Sequence, residues 1–144
     1  MLKDVVITMH SVHGCDLDEP ETVDFVTDGS YSMENGTACF SYMETAITGM
    51  EGTMTSVTVE PERIIIDRSG QITSRMVFKE GEKYNSLYDT AYGSAALNIN
   101  TKKIQHDFDE HGGSMMVDYV ISIEHAVVLY SRIELKIEEQ RKAE

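Results

Sequence analysis

Apolar residues return at every second position over most of the chain and almost nowhere at the 3.6-residue spacing of a helix. In VVLYSRIELKI, residues 127–137, Val127, Leu129, Ile133, Leu135 and Ile137 share a face with Ser131, while Tyr130, Arg132, Glu134 and Lys136 share the other. That pattern is a long strand with one wet side. MMVDYVISIE, residues 115–124, repeats it, with Met115, Val117, Tyr119, Ile121 and Ile123 opposed to Met116, Asp118, Ser122 and Glu124. Only His125 and Ala126 separate the two, which predicts a hairpin.

The remaining segments are joined by equally short turns. Asn35-Gly36 tolerates positive φ at both central positions of a type I′ hairpin. Ser69-Gly70, Glu80-Gly81 and His111-Gly112-Gly113 are similar signals, and Pro61 stops the strand before it. Strands are expected near residues 4–13, 22–34, 37–47, 53–60, 63–68, 71–79, 83–90, 94–101 and 103–109, some of them halves of one bent strand. A flat sheet of that many strands would split or expose long edges, and closure removes the edges. The expectation is an all-β fold, an antiparallel up-and-down (meander) β-barrel of about 8–10 strands. Gly49 and Gly52 fall where a barrel corner needs a bulge or bend. The terminal EEQRKAE reads as a frayed helical turn, too polar to pack.

A length of 144 residues is that of one domain with a sizeable core, and no Pro-, Ser- or Gln-rich tract divides it. Residues 1–144 are therefore read as a single domain. Hydrophobic residues make up 41%, which argues against disorder. Charge changes the picture more: 12 Lys and Arg against 25 Asp and Glu leave a net −13, a field that repels phosphate backbones and anionic lipid. No nucleic-acid partner and no membrane partner are expected. The N-terminal stretch has no uninterrupted apolar run of a secretion signal, and Cys15 and Cys39 are too few for a disulfide framework. These features suit a cytoplasmic protein with free thiols.

Three segments carry a resemblance: FSYMETAITGMEGTMTSVTV (residues 40–59), RIIIDRSGQITSRMVF (63–78) and YDTAYGSAALNINT (88–101). Together they resemble the YwiB-like bacterial β-barrel proteins, a calycin-like (lipocalin-like) family of unknown function. The shared marks are Tyr42, Glu44-Thr45, Gly49, Gly52, Arg68, Gly70, Met76, Phe78 and the Tyr88-Asp89-Thr90 … Tyr92-Gly93 element, with Ala91 where the family often has Pro. The resemblance implies a barrel and a bacterial cytoplasmic setting. It implies no catalytic residues.

Motifs narrow the chemistry further. HSVHGCDLDE gathers His10, His13, Cys15, Asp16, Asp18 and Glu19, but on a strand His10 and His13 point to opposite faces. HDFDEH, residues 106–111, likewise splits His106 from Asp107 and Asp109. Neither has the spacing of a zinc site, so no metal and no cofactor is expected. No Gly-x-Ser-x-Gly, phosphate loop or dinucleotide fingerprint occurs. The informative residues are those sent inward: Glu44 shares a face with Phe40 and Tyr42, and Arg68 shares one with Ile64 and Ile66. In a meander their strands flank the 53–60 strand, about 10 Å apart, and the expectation is that Glu44 pairs with Arg68. Tyr84 and Tyr88 share a face with Ser86, and Tyr119 is inward.

The leading reading is a non-enzymatic barrel that binds a small, partly apolar molecule with an anionic or polar end, using Tyr42, Glu44, Arg68, Tyr84 and Tyr88, with Met, Phe and Ile walls. Two alternatives stand beside it. One is an enzyme in which Arg68 holds a substrate carboxylate while Glu44 moves a proton. The other is a protein-interaction module, or a homodimer, working through the outer face near Val128 and Tyr130. The acidic balance yields a direct expectation: no measurable affinity for double-stranded DNA or RNA at physiological salt. Saturable, salt-sensitive binding at micromolar protein in a filter or anisotropy assay would contradict it.

Overall fold

The computed structural model describes residues 2–14, 20–48, 50–90, 93–123 and 126–140. Ten strands are formed: β1 (Lys3–Gly14), β2 (Glu21–Glu34), β3 (Thr37–Met43), β4 (Met54–Val59), β5 (Ile64–Ser69), β6 (Thr73–Phe78), β7 (Lys83–Thr90), β8 (Gly93–Asp109), β9 (Gly112–Ile123) and β10 (Ala126–Glu139). Each pairs antiparallel with its sequence neighbours, and β1 pairs with β10, so the meander closes into a barrel with no open edge.

Differences from the sequence pattern have local causes. The segments 94–101 and 103–109 are one strand, β8, whose register against β9 shifts between Thr101 and Lys103. An extra residue there bends the strand without ending it. Alternation through residue 47 does not continue as strand: β3 stops at Met43 and a single 3-10 turn, Ala46–Thr48, follows. Of the bulge or bend expected at Gly52 the structure has the bend: at φ +84° it belongs to the turn before β4, while Gly49 lies outside the described residues. At the C-terminus β10 runs to Glu139 and the Gln140 amide donates to the Asp4 carbonyl at 2.9 Å, so residues 138–140 extend the sheet in place of a helical turn. His125 lies outside the described residues, but Ile123 and Ala126 pair as the hairpin expectation requires.

The alternate, inward positions of β3 to β6 stack in layers that the register makes explicit. Ala38, Val59, Ile64 and Phe78 form one row across the four strands, and Phe40, Val57, Ile66 and Met76 form the next. Val5, Ile7, Tyr31, Ile99, Val117 and Ile137 complete this end of the interior, all fully buried. Phe108 stacks between Tyr31 and Phe40, at 6.1 Å from each, and Phe78 meets Tyr119 at 4.8 Å. Each buried aliphatic or aromatic side chain contributes about 1.5–3 kcal/mol. The end of the barrel carrying the β2–β3, β4–β5, β6–β7 and β8–β9 turns is thereby filled. Ile65, on the face opposite Ile64 and Ile66, stays out of this interior yet is almost completely shielded, lying opposite Thr58 and Val77 on the outer face.

The β1–β10 seam carries polar ties as well as the ladder. Lys3 pairs with Glu139 at 2.6 Å. His13 sits opposite Ser131 in the register and reaches its hydroxyl with Nδ1 at 2.8 Å, while Nε2 meets Ser11 Oγ at 3.0 Å. A neutral imidazole, donating from one nitrogen and accepting at the other, serves both serines. Burial pushes His13 below its ordinary value, opposed weakly by the Glu21 carboxylate.

Two expectations follow from this architecture. Gly70, at φ +129°, packs so closely on the β3–β4 connection that a Cβ would lie 2.3 Å from the Gly52 carbonyl oxygen, whereas a Cβ at Gly36, φ +78°, meets nothing within 4 Å. Gly36→Ala should therefore cost about 1 kcal/mol for its backbone alone, and Gly70→Ala more than about 3 kcal/mol, read from urea midpoints. Below about pH 6.5 the unfolded chain takes up the His13 proton more readily than the folded one, so this group removes stability as pH falls. His13→Gln should flatten the stability loss between about pH 7 and 5 relative to the parent chain in the same urea titrations.

Candidate functional site

Above the filled layers the interior changes character. Tyr42, Thr55, Arg68, Ser74 and Tyr88 are consecutive cross-strand partners on β3 to β7, a polar row where the two rows beneath are almost wholly apolar. Thr55 and Ser74 are 1% and 6% exposed, and Thr55 Oγ1, Arg68 Nε and Ser74 Oγ have no hydrogen-bond partner. Unpartnered buried polar atoms are costly, and three on adjacent strands at one height form a prepared polar surface. Glu44 lies one step nearer the barrel end, just past β3, with its amide donating to the Thr53 carbonyl at 2.8 Å and its side chain buried.

The β3 to β5 part of this row forms one wall of a cavity of about 440 Å³ at the end of the barrel opposite the stacked Tyr31, Phe40 and Phe108 rings, while Ser74 lies beyond the lining. Tyr42, Glu44, Thr55 and Arg68 make the polar wall. The facing wall, from β1, β2 and β10, presents Met9, Val23, Ile133 and Leu135. At the rim stand His13 and Glu21 on one side and Ala46, Ile47 and Met50 on the other. The latter belong to the β3–β4 connection, whose 3-10 turn leans toward β2 across the barrel end. The cavity is thus two-faced and lies within the usual size range of small-molecule sites.

Electrostatics sharpen the polar wall. Burial, and after it the neighbouring Glu44 carboxylate, pushes the Tyr42 phenol well above its ordinary value, with Arg68 opposing. Tyr119 is also raised by burial, opposed by Ser131 and Arg68. Both phenols remain protonated donors near neutrality. Arg68 reaches Met76 Sδ with Nη1 at 3.5 Å, a weak contact for a guanidinium. The direct Glu44–Arg68 pairing expected from the sequence is not among the ion pairs of the described residues. Two strand spacings and one two-residue step separate their Cα atoms by something on the order of 12 Å, so the two charges flank Tyr42 and Thr55 without closing on each other.

Of the residues singled out from sequence, Tyr42, Glu44 and Arg68 meet in this cavity. Tyr88 is in the same row but two strands beyond Arg68 and does not line the cavity. Tyr84 is two rows lower, toward the filled end, with its hydroxyl donating to Glu82 at 3.3 Å. The wall of Met9, Ser11, His13 and Val23 was missed, although the alternation of β1 places Met9, Ser11 and His13 on one face. His10 points outward to Asp24 while His13 points inward, so the two do not converge; Cys15, Asp16, Asp18 and Glu19 lie outside the described residues. Among the described residues no three His, Cys, Asp or Glu side chains are grouped to hold a metal ion. His106 reaches the Pro61 carbonyl instead of Asp107 or Asp109. Cys39 is an exposed thiol. Tyr130 is exposed on the outer face, and the side chain of Val128 lies outside the description. No helix among the described residues is long and apolar enough to cross a membrane.

The same barrel occurs in the crystal structure of the ywiB protein from Bacillus subtilis, which superimposes with a TM-score of 0.86 at 23% identity over 97% of this chain and 94% of that one. At that identity the likeness concerns the fold. No curated protein matches the chain. The DUF1934 family, a domain of unknown function, matches residues 7–137, nearly the whole barrel. The chain belongs to this YwiB-like DUF1934 family.

Proposed function

We propose that the protein binds a small, partly apolar molecule with an anionic or polar end in the open half of its barrel. The observation that carries this reading is that Thr55 and Arg68, with the buried Thr55 Oγ1 and Arg68 Nε lacking a close hydrogen-bond acceptor or donor, stand on the polar wall of a cavity whose opposite wall is aliphatic. A polar row held for folding alone would satisfy its own hydrogen bonds. Here a ligand's polar end supplies the partners, and its apolar part covers Met9, Val23, Ile133 and Leu135. At roughly 30 Å³ per water volume, the cavity suits a ligand of about 15 heavy atoms.

Native mass spectrometry of the protein purified from its own cells should show a retained mass that denaturation releases. Arg68 separates binding from folding. Because its buried Nε carries a desolvation cost of about 1–3 kcal/mol without a partner, Arg68→Met should keep or raise the urea midpoint while the retained mass disappears. Arg68→Lys should fold but lose a bidentate hold on the ligand. A ligand retained unchanged by Arg68→Met would remove the polar wall from the binding site, and a strongly destabilised Arg68→Met would assign the residue to the fold.

A further inference from the structure

The polar wall carries both signs of charge, and the geometry points to a small zwitterion of the amino-acid type as the ligand, a refinement that rests on the cavity reading above. A site for a plain carboxylate would present donors only, since a second carboxylate beside the bound one repels it. Here the cationic Arg68 stands on β5 and the acidic Glu44 at the end of β3, and both line the same cavity with Tyr42 and Thr55 between them. Arg68, with Nε unpartnered, receives the ligand carboxylate together with the Thr55 hydroxyl. The Glu44 carboxylate, whose oxygens accept several hydrogen bonds at once, receives the ammonium group. Tyr42, kept protonated by burial, sits between the two and orients either end. The side chain of the ligand then faces Met9, Val23, Ile133 and Leu135, an aliphatic surface without charge.

Charge arithmetic supports the assignment. A protein of net −13 holds a negative potential that disfavours anions, whereas a zwitterion brings no net charge to the cavity and meets both wall charges at once. The volume of about 440 Å³ accommodates an aliphatic or aromatic amino acid or a dipeptide, and rejects longer chains.

Methionine-methyl NMR tests this on the intact chain, because Met9 and Met50 line the cavity while Met43 is exposed on the outer surface and serves as the internal control. Five probes are titrated: leucine, leucyl-leucine, N-acetyl-leucine and octanoate, which carry only the negative charge, and leucinamide, which keeps only the positive one. Leucine or leucyl-leucine should shift the Met9 and Met50 methyls and leave Met43 unmoved, at least ten-fold more tightly than N-acetyl-leucine and leucinamide. Glu44→Gln should weaken the zwitterion at least ten-fold and leave N-acetyl-leucine equal or tighter; the comparison of probes on the parent chain stands even if that variant folds poorly. N-acetyl-leucine or octanoate binding as tightly as the zwitterions would overturn the zwitterion assignment and leave the cavity as an anion site. No shift at Met9 or Met50 with any of these probes, octanoate included, would overturn both.

Discussion

Closing ten strands into one barrel encloses more interior than inward side chains fill at every level, and this constraint governs the rest of the molecule. Eight strands give an interior that side chains just occupy; with ten the diameter grows, and large residues are needed to plug it. The chain concentrates them at one end. Phe40, Phe78, Phe108 and Tyr31 fill the lumen there, while at the other end Phe25 and Tyr42 pair at 5.8 Å to one side and the small Ser11 and Thr55 leave space between the walls. The cavity is what closure leaves where the inward side chains do not meet across the lumen.

That division also separates stability from chemistry. The filled layers bury aliphatic and aromatic surface with few polar interruptions, so the fold has its source there. The polar row is a local expense, since Arg68 Nε and the Ser74 hydroxyl are withdrawn from solvent without a hydrogen-bond partner and the Thr55 hydroxyl has only the neighbouring Tyr42 phenol to interact with. Sites that bind or react are where proteins tolerate such frustration. The mouth is shaped by a third element, the β3–β4 connection, which abandons the strand after Met43 and brings Ala46, Ile47 and Met50 to the rim. Ile47 remains largely exposed there, an apolar side chain beside an opening with an aliphatic wall.

The opposed charges of Glu44 and Arg68 illustrate how barrel geometry converts a pair into a site. Placed on adjacent strands at one height they would have closed into an ion pair. Offset by two strands and one step, they hold their charges apart on one wall, with Tyr42 and Thr55 in the interval. His13 adds a neutral group at the opposite rim, held by Ser11 and Ser131 across the seam that closes the barrel.

Strict alternation was enough to place Tyr42 and Glu44 beside Phe40, to turn Arg68 inward with Ile64 and Ile66, and to send His10 and His13 to opposite faces, because a strand has a period of two and short turns leave antiparallel neighbours as the simplest pairing. The meander and its closure follow from those facts. Height was another matter. Tyr84 and Tyr88 were legible as inward, yet only accumulated register over five strands shows that Tyr88 shares the row of Arg68, while Tyr84, opposite Ile99, sits further from it with its hydroxyl on Glu82. The same shear brings β1, β2 and β10, remote in sequence, around to face Arg68, so Met9, Val23 and Leu135 become its opposite wall without any local signal. Face is a property of each strand's own covalent geometry, and the sequence determines it; height and opposition arise from the tilt and closure of all ten strands together, and only the tertiary structure decides them.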